Sequence, residues 1–212
     1  MISTEHLLAF TLTSIALIVV PGPSVLFVIS RALVLGRRGA FLTVLGNSAG
    51  LLLQVFAVAL GVGALVERSV VVFTAIKLGG AAYLVYLGVQ AVRHRQDLAS
   101  VLVKDEAVTG NRHVLREGFV VGVSNPKSIV FFAAVLPQFV DRSLGRLPLQ
   151  LLLLGTEFVL LAMVLDSVWA LAAGSARDWF ARSPGRLSTL GGVGGLLMIG
   201  IGARLAVTGR HD

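Results

Sequence analysis

The 212-residue chain contains no cysteine, which excludes disulfides, thiolate metal sites and thiol redox chemistry. It carries little charge: Asp, Glu, Lys and Arg make up 14% of it against 56% hydrophobic residues, and its mean hydropathy is +0.88. A soluble domain of this size could not cover its surface with so few charges, so the composition is that of a polytopic membrane protein. Histidine is scarce too. His6, His94, His113 and His211 all fall outside the apolar runs, leaving an intramembrane serine–histidine protease or a buried histidine metal site without its parts. No glycine–lysine phosphate cradle is present, so ATP hydrolysis is not expected. The net charge of +7 sits between apolar runs without interleaved aromatics, which suits loops at a membrane surface rather than nucleic acid. The reading is a chain that is not an enzyme, has no cofactor or resident metal, and has membrane lipid as its surroundings.

Six apolar runs can be drawn, at about 7–30, 39–66, 69–92, 117–140, 148–176 and 187–208. The first carries no charge from Leu7 to Ser30, long enough to cross a bilayer core as a helix and too long for a cleaved signal peptide. The polar stretch 93–116 divides the chain near its middle, giving an N-terminal three-helix unit (1–92), a cytoplasmic linker (93–116) and a C-terminal three-helix unit (117–212). Loops after runs one, three and five carry three, five and three Lys or Arg, against one, two and two on the other side. Eleven against five places the first set in the cytoplasm and both termini outside.

Run one is interrupted at Pro21-Gly22-Pro23-Ser24. Each proline removes an N–H and pushes the preceding residue out of helical geometry, so the helix is predicted to stop near Val20 and restart near Ser24. Run four is interrupted in the same way at Asn125-Pro126-Lys127-Ser128. Broken backbone at membrane depth is tolerated only against protein or water, and paired breaks in two halves point to a transport site between repeats. The halves match elsewhere. Leu78-Gly79-Gly80 recurs as Leu190-Gly191-Gly192, and Leu45-Gly46-Asn47-Ser48 resembles Leu154-Gly155-Thr156-Glu157. The offsets of 112, 109 and (for the breaks) 103 residues are all near half the length. Three spans per half implies an inverted repeat. Gly46/Gly50, Gly118/Gly122 and Gly191/Gly195 are small residues four apart that let helices approach closely.

Charge within an apolar run costs about 2.5–3.5 kcal/mol at a helix centre and needs a reason. Lys77, Lys127, Glu157 and Asp166 are such residues, with Arg204 near an end. Asp166 and Glu157 are nine residues apart, on opposite sides of one helix. Either could hold a substrate ammonium or a coupling proton, or form a structural ion pair with Lys77 or Lys127. Asn47, Ser48, Leu51 and Gln54 share one helical side of run two. The helix restarts at Ser24 and Ser128 would offer N–H groups and a positive dipole end to a carboxylate, or these serines are plain caps. The candidate substrate-binding set is Pro21, Gly22, Pro23, Ser24, Asn47, Asn125, Pro126, Lys127, Ser128 and Asp166.

Pro21-Gly22-Pro23-Ser24, Arg38-Gly39-Ala40, Gly80-Ala81-Ala82-Tyr83-Leu84, Asn125-Pro126-Lys127-Ser128 and Leu136-Pro137-Gln138-Phe139 together span nearly the whole chain. In that order they resemble the LysE/RhtB family of bacterial amino-acid exporters, most of all its homoserine/threonine branch. The resemblance implies a multi-pass protein of the bacterial inner membrane that exports small amino acids on the proton gradient. It does not extend to Asp166 and Glu157, whose roles rest on the cost of burying them. Two rival readings remain beside it: export of a cation or other solute on the same scaffold, and a non-transporting membrane protein. Association as a homodimer is left open.

Overall fold

The structure, a computed structural model, describes residues 4–20, 22–62, 70–93 and 110–175, with single positions between 189 and 207. Every regular element among the described residues is helical. Helix α1 is Thr4–Val19, and α2 is Pro23–Ala57, prolonged by a π turn at Val58–Val62. Helix α3 is Val70–Arg93 and α4 is Asn111–Ser124. Helix α5, Pro126–Val130, continues through a π turn (Phe131–Val135) and a 3-10 turn (Leu136–Gln138). Helix α6 is Leu147–Ser175. The expected sixth run lies mostly outside the described residues.

Both predicted breaks are present. Helix α1 and the segment Ser24–Ala32 meet at 53°, and Asn111–Ser124 and Pro126–Gln138 meet at 42°. Val34–Gly61 and Leu147–Ala173 are each long and apolar enough to cross a membrane, and each bent pair would make one further span. The protein is a multi-pass membrane protein.

Helix α2 holds two segments of opposite direction. Gly36, at φ 72° and ψ −172°, leaves the helical region where only glycine is at ease. Before it, Ser24 bonds to Asn125 and Arg31 pairs with Glu117, so this arm descends α4 in the reverse sense. After it, a Cβ on Gly46 would strike Leu115 and one on Gly50 would strike Phe119, so this arm rises alongside α4. The expected boundary between runs one and two is therefore a helical hairpin at Gly36. Against α6 the second arm is antiparallel, since Gly155 packs on Val55 while Asp166 meets Asn47.

Gly46, Gly50, Gly118 and Gly122 put two backbones in contact. A Cβ on Gly118 would lie 2.5 Å from the Thr43 carbonyl, and one on Gly122 would overlap that of Asn47. Without a hydrophobic drive between helices in lipid, this approach is what joins α2 to α4. Of the third expected pair, Gly191 and Gly195 lie outside the described residues. Beyond the break in α5, Phe131 and Phe132 pack on Phe158 at ring separations of 4.7 and 4.9 Å, and Phe10 adds to them from α1.

Helix α4 begins six residues earlier than the apolar run, at Asn111, inside the stretch read as linker. Its first two turns, Asn111–Glu117, are polar, so hydropathy alone ends the run where the helix leaves the apolar layer. Between α5 and α6, Gln150 secures the connection: its Nε2 donates to the carbonyls of Asp141 and Gly145, and its Oε1 accepts from the Asp141 N–H.

Candidate functional site

A proline in a helix frees carbonyls one turn upstream, and in a bilayer each must find another donor. At the first break, Pro21 and Pro23 have no N–H, and Gly22 is extended at φ −104° and ψ −171°, so the ladder does not continue past Val20. The missing donor comes from the other break. Lys127 Nζ donates to the carbonyl of Leu17 at 3.0 Å and to that of Val20 at 2.8 Å. Gly22 makes room for it, since a Cβ there would sit 3.1 Å from Nζ.

At the second break, Pro126 cannot serve the Gly122 carbonyl, whose backbone donor is the Asn125 N–H at a long 3.4 Å. The Lys127 N–H turns to Asn125 Oδ1 at 3.0 Å, so Val123 loses its helical donor too. Gln54 Nε2 donates to both carbonyls at 2.8 Å. The sequence marks Gln54 as polar and inward; that it repairs the break is visible only in three dimensions.

The breaks also touch directly. Asn125 Nδ2 donates to Ser24 Oγ at 2.7 Å. Asn125 caps α5, and Ser128 Oγ donates back to the Asn125 carbonyl at 3.0 Å. The two restarts are thus unequal. Asn125 fills the start of α5, whereas α2 begins after Gly22 with no side-chain cap. Ser24 and Val25 N–H, in the first turn of α2, have no partner within the helix.

Asp166 lies 3% exposed on α6, and Asn47 Nδ2 donates to its Oδ2 at 3.3 Å. Asp166 Oδ1, Asn47 Oδ1 and the neighbouring Ser48 Oγ are buried without a hydrogen-bond partner. A buried carboxylate with a free oxygen beside a free amide oxygen is a receptor for a cationic N–H group, or for a proton. No ion pair joins Lys127 to Asp166, and the ammonium is turned to the α1 carbonyls instead.

Gly22, Ser24, Asn47, Asn125, Lys127, Ser128 and Asp166 are therefore all buried around the two breaks, with Pro126 half-buried beside them. Pro23 starts α2; its side chain, that of Lys77 and all of Pro21 lie outside the described residues. Glu157 is elsewhere, as its helical position implies: its Oε1 accepts from Thr11 Oγ1 at 2.5 Å. Sequence reasoning overlooked Arg31 and Glu117, whose side chains pair at 3.1 Å. Their signal was weak, an arginine directly after an apolar run and a glutamate at the first position of another.

Residues 15–209 match the LysE type translocator family. The chain is 36% identical over 200 residues to an uncharacterized membrane protein of Vibrio cholerae, covering 94% of this chain and 95% of that one. It is 33% identical over 208 residues to the homoserine/homoserine lactone efflux protein of Salmonella typhimurium, covering 98% of each. With the leucine efflux protein of an Enterobacter species it shares 29% over 195 residues, 90% of each chain. No solved structure matches.

Proposed function

The chain belongs to the LysE type translocator family, and from that premise we propose that it is a secondary exporter of small neutral amino acids or their derivatives. Homoserine and threonine are the type of substrate, the bacterial inner membrane is the barrier, and the proton gradient is the driving force. Relatives named for homoserine, homoserine lactone and leucine efflux support the class of cargo. The architecture proposed is six spans in two inverted three-helix repeats, 1–92 and 117–212, each opening with a broken helix. The antiparallel course of the two bent pairs supports it.

One observation carries the assignment of the site: Asn125 Nδ2 bonds Ser24 Oγ, joining the two breaks, while Asp166 Oδ1 and Asn47 Oδ1 stay unpartnered. In this reading the substrate carboxylate docks on the Ser24 and Val25 N–H groups at the positive end of α2. Lys127, with two of its three N–H bonds spent on Leu17 and Val20, offers the third. The substrate ammonium docks on Asp166 and Asn47. Protonating Asp166 removes the charge that holds the ammonium, which links release to the proton gradient. Asp166 and Glu157 face different neighbours, so the carboxylates do not converge as a cation carrier would need.

Counterflow in proteoliposomes with a panel of radiolabelled amino acids tests the reading. Homoserine, threonine or leucine should accumulate, more so with an imposed pH gradient. A folded, reconstituted protein that moves none of the panel would refute it.

A further inference from the structure

We propose that Arg31 and Glu117 are gate residues of the transport cycle, whose ion pair closes the site toward the end of the molecule bearing the Gly36 hairpin. This rests on reading the chain as a transporter, but not on the identity of its substrate. Arg31 Nη2 lies 3.1 Å from Glu117 Oε2, and the arginine side chain is only 5% exposed. The guanidinium also covers the Phe27 ring at 4.9 Å. Glu117 uses its other oxygen for His113 Nε2, at 3.2 Å, so the cluster is completed one turn further from the site.

Position gives the pair its role. Arg31 follows Ser24 by seven residues and Glu117 precedes Asn125 by eight, so both lie about 10–12 Å along their helices from the joined breaks, on the same side. One belongs to the first bent span and the other to the second. The bends at 53° and 42° are the hinges about which these two arms can separate. At the breaks a neutral bond joins Asn125 to Ser24, and two turns away the same two arms are joined by charge. Arg31 is buried and Glu117, at 29% exposure, meets its edge, so parting the arms would wet a guanidinium that is dry when the pair is made. That is the behaviour of a barrier with two discrete states, and merely packing two helices would not need it. The glycine contacts of Gly46 and Gly50 with α4 lie on the arm beyond the hairpin, whereas the first arm packs through Val25, Val28, Ile29 and Ala32 with Ala40, Val44, Ala170 and Ala173, the apolar face along which it would move.

The chain has no cysteine, so one placed at Ser24 reports access to the site. In oriented membrane vesicles, a charged impermeant methanethiosulfonate applied from the Gly36 side should modify the Ser24→Cys protein slowly. Adding Glu117→Gln should speed modification about tenfold or more from that side only. An unchanged rate, or one raised only from the opposite side, overturns the proposal. Should Glu117→Gln fail to fold, Arg31→Cys with Glu117→Cys, tied through two disulfides by a short bis-methanethiosulfonate, decides. Tied protein should lose counterflow and regain it on reduction, whereas undiminished counterflow in the tied state overturns the gate. Amino-acid specificity does not enter the modification rates, so an error in the substrate reading would leave them as expected here.

Discussion

The Nζ of Lys127 lies 2.8 Å from the carbonyl oxygen of Val20, 107 residues away in sequence. A lysine in one interrupted span thereby completes the hydrogen bonding of the other. The second break is completed by Gln54, an amide from the next span along. The two breaks are therefore a single structural unit, and each persists because the rest of the molecule supplies what its prolines removed. One repair is charged and one neutral, which gives the centre an asymmetry that its paired sequence motifs do not have.

Replacing Lys127 by methionine keeps the bulk and removes the donors. Two buried carbonyls would lose charge-assisted bonds, each contributing roughly 1.5–3 kcal/mol. The purified variant in detergent should unfold well below the parent, and its counterflow should be lost. Parental thermal stability in Lys127→Met would show that water or another group serves Leu17 and Val20.

Gln54→Glu is the sharper test at the second break. The carboxylate is the same size but cannot donate when ionised, and it would face the carbonyls of Gly122 and Val123. Gln54→Glu is expected to be less stable than Gln54→Met, although it is closer in shape. Thermal unfolding of the pair side by side reads the order, and the reverse order would remove Gln54 from its place as donor.

Much of this centre was legible in the sequence because proline and buried charge have few interpretations in lipid. The stops at Val19 and Ser124 follow from the prolines, and the inward set Asn47, Ser48, Leu51 and Gln54 follows from helical spacing. What the sequence does not carry is the identity of long-range partners. Lys127 could have faced Asp166, the substrate or a backbone, and only packing decides that it faces Leu17 and Val20. The linker boundary at 116 misses the true start of α4 because a polar helix emerging from lipid looks like a loop to hydropathy. Arg31 and Glu117 escaped for a similar reason: charges at run ends are ordinarily solvated, and nothing local shows these two turned inward.

At the contact of α2 with α4, a single methyl group should be enough to separate the helices. A Cβ on Gly122 would overlap the Asn47 carbonyl, which is backbone and cannot rotate away. Gly122→Ala is expected to cost about 1–3 kcal/mol or more by overpacking, whereas Gly79→Ala, with open space around it, should be neutral. Unfolding midpoints of the two variants compare them directly, and equal midpoints would mean that the close approach is not essential.

Asp166 offers the most informative single substitution. Its Oδ2 accepts from Asn47, and its Oδ1 is buried with nothing bound to it. An aspartate that served only packing would be improved by becoming neutral, because the unpaired carboxylate is costly to bury. Asp166→Asn is therefore expected to fold at least as stably as the parent, while losing both the ammonium contact and the group that exchanges a proton. Homoserine counterflow should fall by about tenfold or more, the effect of losing one charge-assisted contact of roughly 1.5–3 kcal/mol. Any flux that remains should no longer respond to an imposed pH gradient. The comparison with Asn47→Asp separates the two roles. That change adds a second carboxylate beside the first, so it should raise the demand for a proton or cation without removing Asp166. Flux in Asp166→Asn that matches the parent in both size and pH response would leave the carboxylate a structural residue and move the coupling site elsewhere.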